Sequence, residues 1–234
     1  MKKKILLIGI SGFIGRNLFD DLVKHNYEIE GTYFTPMSQI EKNNIKYFEE
    51  KSIKLYYLDF INQENYINIP WSDFNFIIIC GAISRPMNIP LSRYFDVNSL
   101  GSLTLLEHIN NHKGSKLEKV VYTSSVSVLG TSTDDKHLNE DDYQHTDDLY
   151  SLSKRYGEKI AMYFLKNKYL PIAIYRPCLT YGMHQDIRSV IYKFIRFNIF
   201  PLFNKDIKFE FLYVKNFTNL LIENLEKDKK QVPM

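Results

Sequence analysis

Cysteine is scarce in this chain. Cys80 and Cys178 are the only two in 234 residues, and they stand far apart in apolar surroundings. That count excludes a disulfide scaffold and points to buried free thiols in a reducing cytoplasm. Charge of one sign is also lacking. The net charge of +3 comes partly from the ends, Lys2-Lys3-Lys4 and Lys227-Asp228-Lys229-Lys230, with no aromatics interleaved and no basic stripe along a helix. Nucleic acid is therefore not an expected partner. Long apolar runs are missing too: Ile5 to Ile10 is too short to span a bilayer and carries no signal-peptide cleavage pattern. No membrane partner is expected, and the protein reads as cytoplasmic.

What is present suits an α/β domain. Hydrophobic residues at 44% and charged residues at 24% are ordinary proportions, so a chain of this length can bury one substantial core and carry a small appendage. Lys4-Ile5-Leu6-Leu7-Ile8-Gly9 is a continuous apolar run, as expected of a strand covered on both faces. Further strands are expected at Tyr27 to Phe34, Ile53 to Leu58, Phe74 to Cys80 (closing on Gly81-Ala82), Lys119 to Ser124 and Ile172 to Tyr175. Helices are expected over Phe13 to Lys24, Leu91 to Asn111 and from Tyr150 to about Lys166. Strands alternating with helices call for a doubly wound parallel sheet, a Rossmann fold. The acidic stretch from Thr131 to Asp148 has no apolar period and is expected to be a solvated loop shielding a site.

Gly9-Ile10-Ser11-Gly12-Phe13-Ile14-Gly15 lies between the first strand and the first helix. Gly9 permits a tight turn, Gly12 lets the backbone approach a pyrophosphate, and Gly15 lets the helix pack against the strand. The helix N-terminus then offers free N–H groups to the anion. A dinucleotide is the expected ligand. The second strand ends in Gly31-Thr32-Tyr33-Phe34-Thr35, without the carboxylate that usually holds the ribose 2′-hydroxyl of NAD. That absence leans slightly towards NADP over NAD, with Arg16 the only basic residue in reach of a 2′-phosphate. Asp59, closing the third strand, is a candidate acceptor for an adenine amine or simply a solvated strand end.

Tyr150-Ser151-Leu152-Ser153-Lys154 places a phenol and an ammonium four residues apart, on one face of a helix. The ammonium stabilises the phenolate, so Tyr150 can exchange protons near neutral pH. His108 and His112 share the same spacing, but no third ligand stands near them and no metal is expected. Arg188, Lys193 and Arg196 read as a solvated helix face, or, only by the lobe arrangement that a family resemblance implies, as contacts for a substrate diphosphate.

These motifs, in this order, resemble the extended short-chain dehydrogenase/reductase family, the NAD(P)-dependent nucleotide-sugar epimerases, dehydratases and reductases. The likeness runs from Lys4 to about Leu225. Gly9-x-x-Gly12-x-x-Gly15 resembles the family's cofactor loop, and Tyr150-x-x-x-Lys154 its catalytic pair. Ser124-Ser125-Val126-Ser127-Val128-Leu129-Gly130 is similar to its serine strand, which assigns Ser125 as the hydroxyl that orients the substrate oxygen. Asp96-Val97-Asn98-Ser99-Leu100-Gly101 resembles the helix whose asparagine supports the active-site backbone. Arg176-Pro177-x-x-x-Tyr181-Gly182 resembles the exit to the substrate lobe, and Phe211-Leu212-Tyr213-Val214-Lys215-Asn216 a late family stretch. The resemblance implies catalysis by Ser125, Tyr150 and Lys154. It implies a cofactor held by Gly9, Gly12, Phe13, Ile14, Gly15, Arg16, Asp59, Gly81, Ala82, Asn98, Tyr150, Lys154 and Pro177.

Residues 1–176 then form the NAD(P)-binding domain, and 177–234 a partial substrate-binding lobe, shorter than in relatives. The implied activity is reduction or epimerisation of a nucleotide-linked sugar, as in surface polysaccharide synthesis. Lys154 would also hydrogen-bond the nicotinamide ribose. Homodimers through a helix pair are usual in the family. Two departures shape the expectation: Val126-Ser127 stand where dehydratases carry an Asp-Glu pair, and Leu129 replaces a usual aromatic. The shortened lobe leaves one rival, a non-catalytic NAD(P)-binding sensor or partner module, and the breadth of the family leaves another, a reductase of a non-sugar ketone.

Overall fold

The computed structural model describes residues 2–35, 38–84, 89–130, 138–146, 148–185, 197 and 210–227. Six strands form one parallel sheet: β1 (Lys3–Ile8), β2 (Tyr27–Tyr33), β3 (Leu55–Tyr57), β4 (Phe76–Ile79), β5 (Lys119–Thr123) and β6 (Ile172–Tyr175). Their spatial order, β3-β2-β1-β4-β5-β6, reverses direction between β1 and β4. That is the doubly wound Rossmann arrangement, in which ligands bind beyond the carboxyl ends of the strands at the reversal.

The apolar alternation explains the layers. Along β1, Leu6 and Ile8 face one core with Ile77, Leu105, Leu106, Ile109 and Phe164. Ile5 and Leu7 face the other, with Leu18, Phe19, Leu22, Phe48, Ile78 and Leu221. Both faces are buried, which requires a continuous apolar run rather than an alternating one.

Helix α1 (Phe13–Leu22) follows β1, and α2 (Gln39–Glu50) joins β2 to β3. The expected order of elements passes over α2, although Ser38 and Glu41 form a complete capping box at its start. Its apolar positions are few, so the periodic signal is thin. The expected helix from Leu91 to Asn111 is real but composite. It comprises α3 (Ser92–Phe95), a π-helical turn (Asp96–Leu100) and α4 (Gly101–His112). The active-site candidate helix α5 (Leu149–Asn167) starts on an Asp148 N-cap that accepts from the Ser151 N–H at 2.9 Å.

Two short strands, β7 (Leu179–Tyr181) and β8 (Phe211–Tyr213), pair in parallel outside the main sheet and lead into α6 (Val214–Leu225). Helix α6 packs into the sheet's own core through Phe217, Leu221 and Leu225. Its start is tied to α1, where Asp21 Oδ2 accepts from Thr218 Oγ1 (2.7 Å) and Lys215 Nζ (3.0 Å). Its end is capped from β5: buried Lys119 Nζ donates to the carbonyls of Asn224 and Lys227, where a cation suits the negative end of a helix. Among the described residues, no helix is long and apolar enough to cross a membrane.

Burial pushes the Asp21 carboxyl up, but hydrogen bonds from Lys24, Thr218 and Lys215 outweigh it and hold the pKa below the usual value. A lowered carboxyl stabilises the fold above its unfolded pKa, near 4, and loses that contribution as pH falls through the folded value. Asp21→Ala should therefore cost roughly 2 kcal/mol in urea unfolding at pH 7. The gap between variant and wild type should close below pH 4. A gap independent of pH would contradict the assignment.

Candidate active site

The glycine loop is shaped by close backbone contacts. Gly9 has φ +84°, and a Cβ there would lie 2.8 Å from the Gly81 backbone, so the exits of β1 and β4 lie side by side. A Cβ at Gly15 would come within 2.2 Å of the Gly9 carbonyl oxygen, which no other residue type can accommodate. Gly12, the N-cap of α1, has no side-chain cap, and a Cβ on it would touch only the Gly9 oxygen, at 3.4 Å. The first-turn N–H groups beyond it have no intrahelical acceptor. An open helix N-terminus behind a glycine fits a dinucleotide pyrophosphate.

Residues outside the glycines hold this loop. Thr32, at the end of β2, accepts from Gly9 N–H through its hydroxyl (3.2 Å) and from Ile10 N–H through its carbonyl (3.0 Å). Asn44 on α2 donates to the Ser11 carbonyl at 2.8 Å. Neither was singled out in the sequence, because each acts across a turn or a helix of thin signal. Arg16 packs against α2. Its guanidinium reaches Asp20 (3.1 Å) and Asn44 (3.1 Å) and stacks on the Tyr47 ring, 3.7 Å from its centroid. Asp59 follows β3, with Oδ1 accepting from Ile61 N–H as a turn former.

Opposite the loop, Asn98 sits in the π-turn and is buried. Its Oδ1 accepts from Ile83 N–H at 2.9 Å, while Nδ2 donates to the Ile83 carbonyl and to Ser153 Oγ. Asn98 thus ties the backbone just past Gly81-Ala82 to helix α5. That helix comes unusually close: a Cβ at Gly157 would lie 2.2 Å from the Asn98 carbonyl oxygen and 2.5 Å from the Tyr122 hydroxyl.

Ser125 caps a short 3-10 turn (Val126–Leu129), accepting from Ser127 N–H at 3.2 Å and from Ser127 Oγ at 2.9 Å. Pro177 closes the turn from β6, its carbonyl accepting from Val126 N–H at 3.1 Å. Tyr150 stands half-buried on the first turn of α5, its ring edge-on to buried Tyr94 with centroids 6.5 Å apart. Lys154, one helical turn on, is 3% exposed and donates to the Thr123 carbonyl at 2.8 Å, two residues before Ser125. Burial lowers its pKa to about 8, against the opposing pull of Glu158 and Cys80. A proton-holding cation is thereby poised near neutrality beside the tyrosine's helix face.

A buried ion pair braces this corner. Arg176 binds Glu158 in a two-point contact at 2.6 and 2.9 Å, and Tyr143 donates to the same carboxylate at 3.0 Å. Burial raises the Glu158 pKa, but Arg176, with Ser124 and Tyr143, more than offsets it, and the group stays ionised. Arg155 donates to the carbonyls of Val128 and Gln144. The stretch 138–146 is solvated, as expected, but Gln144 and Tyr143 within it are tied to α5. The rest of the acidic run, 131–137 and 147, lies outside the described residues, as do Arg188, Lys193 and Arg196. His108 and His112 stack face to face at 3.9 Å and 17°, so their nitrogens do not converge on one ion. They border a groove of about 500 Å³ with Tyr66 and Trp71, on the half of α4 that runs towards the start of β5.

The fold thus brings Gly9, Gly12, Phe13, Ile14, Gly15, Asp59, Gly81, Ala82, Asn98, Ser125, Tyr150, Lys154 and Pro177 to the carboxyl edge of one sheet, and buries Arg16 between α1 and α2, one hydrogen-bonded residue from the glycine loop. Residues 5–233 match the sequence model of the NAD dependent epimerase/dehydratase family. The chain belongs to that family. It is 28% identical over 195 residues to UDP-glucose 4-epimerase of Vibrio cholerae, covering 78% of this chain and 53% of that one. It is 26% identical to the CapI protein of Staphylococcus aureus, covering 82% of this chain and 59% of that one. The chain thus spans little more than half the length of these curated relatives. Among solved structures, UDP-glucuronic acid 4-epimerase of Bacillus cereus in complex with NAD superposes with a TM-score of 0.77 at 24% identity, over 97% of this chain and 74% of that one.

The buried ammonium carries a measurable signature. A free lysine titrates near 10.4, so between pH 8 and 10 the folded chain binds fewer protons than the unfolded one and stability rises through that window. Lys154→Met removes this rise. Urea unfolding at pH 7 and pH 10 should show the variant's stability relative to wild type falling by on the order of 3 kcal/mol as pH increases. An unchanged difference would show that Lys154 is not held near 8.

Proposed function

We propose that this protein is an NAD-dependent epimerase, or a reductase of the same chemistry, acting on a nucleotide-linked sugar. The observation that carries the reading is Lys154, a buried ammonium fixed to the Thr123 carbonyl between the serine turn and the face of α5 that bears Tyr150. Bound dinucleotide supplies the hydride acceptor and donor. Tyr150 takes the proton from a sugar hydroxyl as it becomes a keto oxygen, and returns it when the carbon is reduced. Lys154 stabilises the phenolate that must form at Tyr150. Ser125, freed from its contact with Ser127, donates to the same substrate oxygen and fixes its direction. Val126 and Ser127 carry no carboxylate, so elimination of water at neighbouring carbons has no acid–base pair to drive it.

NAD is preferred over NADP in this reading. Arg16 is engaged by Asp20, Asn44 and the Tyr47 ring, and the Thr32 hydroxyl by Gly9 N–H, so neither is held out towards a 2′-phosphate at the end of β2. Leu100, Leu103, Tyr156 and Tyr163 leave apolar surface exposed on the π-turn, α4 and α5, and a second copy of the chain is the partner proposed for it. Light scattering behind a sizing column should then give twice the monomer mass.

Tyr150→Phe should lower turnover of UDP-linked glucose or glucuronic acid by about 10²–10⁴-fold while NAD binding by calorimetry stays within a few fold. Undiminished turnover of a substrate that wild type converts would refute the reading. Melting temperature should rise more with NAD than with NADP at equal concentration. The reverse order would reinstate the 2′-phosphate.

A further inference from the structure

Helix α1 offers more than its N-terminus. One side of it, Asn17, Asp20 and Asp21, collects both flanks of the segment between β7 and β8. From one flank, the Met183 carbonyl accepts from Asn17 Nδ2 at 2.6 Å, and His184 Nε2 lies 3.0 Å from Asp20 Oδ2. From the other, Lys215 and Thr218 reach Asp21. Asn17 is fully buried, so its amide contacts are not traded with water. His184 has φ +65°, a left-handed backbone that a non-glycine residue keeps only when its surroundings hold it there.

Asp20 faces two ways. While Oδ2 meets His184, Oδ1 accepts from Arg16 Nε at 3.1 Å. Arg16 Nη1 donates to Asn44 Oδ1 at 3.1 Å, and Asn44 Nδ2 donates to the Ser11 carbonyl at 2.8 Å. A polar chain therefore runs without a break from His184, just past the Tyr181-Gly182 turn, to the middle of the glycine loop. Arg16, Asn44 and Ser11 are all buried, so the inner part of the chain, nearest the glycine loop, does not trade its contacts with water.

We propose that His184 is a positioning residue for dinucleotide binding, acting through Asp20, Arg16 and Asn44 on the Ser11 carbonyl and so on the loop that meets the pyrophosphate. The proposal rests on the reading of that loop as the cofactor site. Its consequence is reciprocal: filling the loop steadies the turn that opens the substrate segment, and fixing that turn tightens the cofactor.

Calorimetric titration of NAD into wild type, His184→Ala, His184→Gln, His184→Phe, Asn44→Ala and the double variant His184→Ala/Asn44→Ala tests this. His184→Ala and His184→Phe should weaken NAD about fivefold, the value of one hydrogen bond. His184→Gln, whose amide still donates to Asp20, should recover most of the loss, which mere loss of packing would not predict. Adding His184→Ala to Asn44→Ala should weaken binding no further, because the chain is already cut. Melting temperatures measured alongside identify any variant that fails to fold, and the Phe against Gln comparison then stands in for Ala. NAD affinity equal to wild type in folded His184→Phe, or full additivity in the double variant, overturns the proposal. Wild type that binds no NAD overturns the cofactor reading and this proposal together.

Discussion

Everything at this sheet edge depends on how closely two helices approach the backbone. Helix α1 crosses β1 so tightly that Gly15 leaves no space for a Cβ beside the Gly9 oxygen, and α5 meets the π-turn the same way at Gly157. The first contact sets how far the N–H groups of α1 stand from an anion. The second sets the height at which Tyr150 and Lys154 stand above the serine turn. Both are hard-sphere limits, insensitive to salt or pH, and they supply the rigid frame on which softer polar contacts can be precise.

Within that frame the charges divide by task. Glu158 and Arg176 neutralise one another in a buried two-point pair and brace β6 against α5. Lys154 instead donates to the Thr123 carbonyl and lies 5.2 Å from the centre of the Tyr122 ring, and its charge is the one that burial weakens, lowering its pKa to about 8. A stable pair one turn along the helix keeps the reactive cation from being the structural one.

The sheet was legible from the sequence because β1, β4 and β6 are apolar runs ending in a glycine or an Arg-Pro break, and β3 closes on Asp59. The glycine loop and the Tyr150/Lys154 pair were legible because their meaning lies in short, fixed spacing. What escaped notice has the opposite character. Helix α2 buries only Asn44, Ile45 and Phe48, too few for a clear period, so its Ser38 capping box was the sole strong signal. Helix α6 shows Phe217, Leu221 and Leu225 at helical intervals, yet its place against α1 rests on Asp21, nearly two hundred residues away. The π-turn that aims Asn98, and the Glu158–Arg176 pair joining a helix to a strand, are likewise set by tertiary packing rather than local pattern.

Strand β5 carries a consequence for the ancestry of the chain. Its first residue, Lys119, grips the end of α6, and the carbonyl of its last, Thr123, holds the Lys154 ammonium. Side chains and carbonyls alternate direction along a strand, so after one inserted or deleted residue the strand could keep either grip only by releasing the other. Five residues thus act as a ruler of fixed length, one on which insertions and deletions should leave no trace while the loops at either end drift freely.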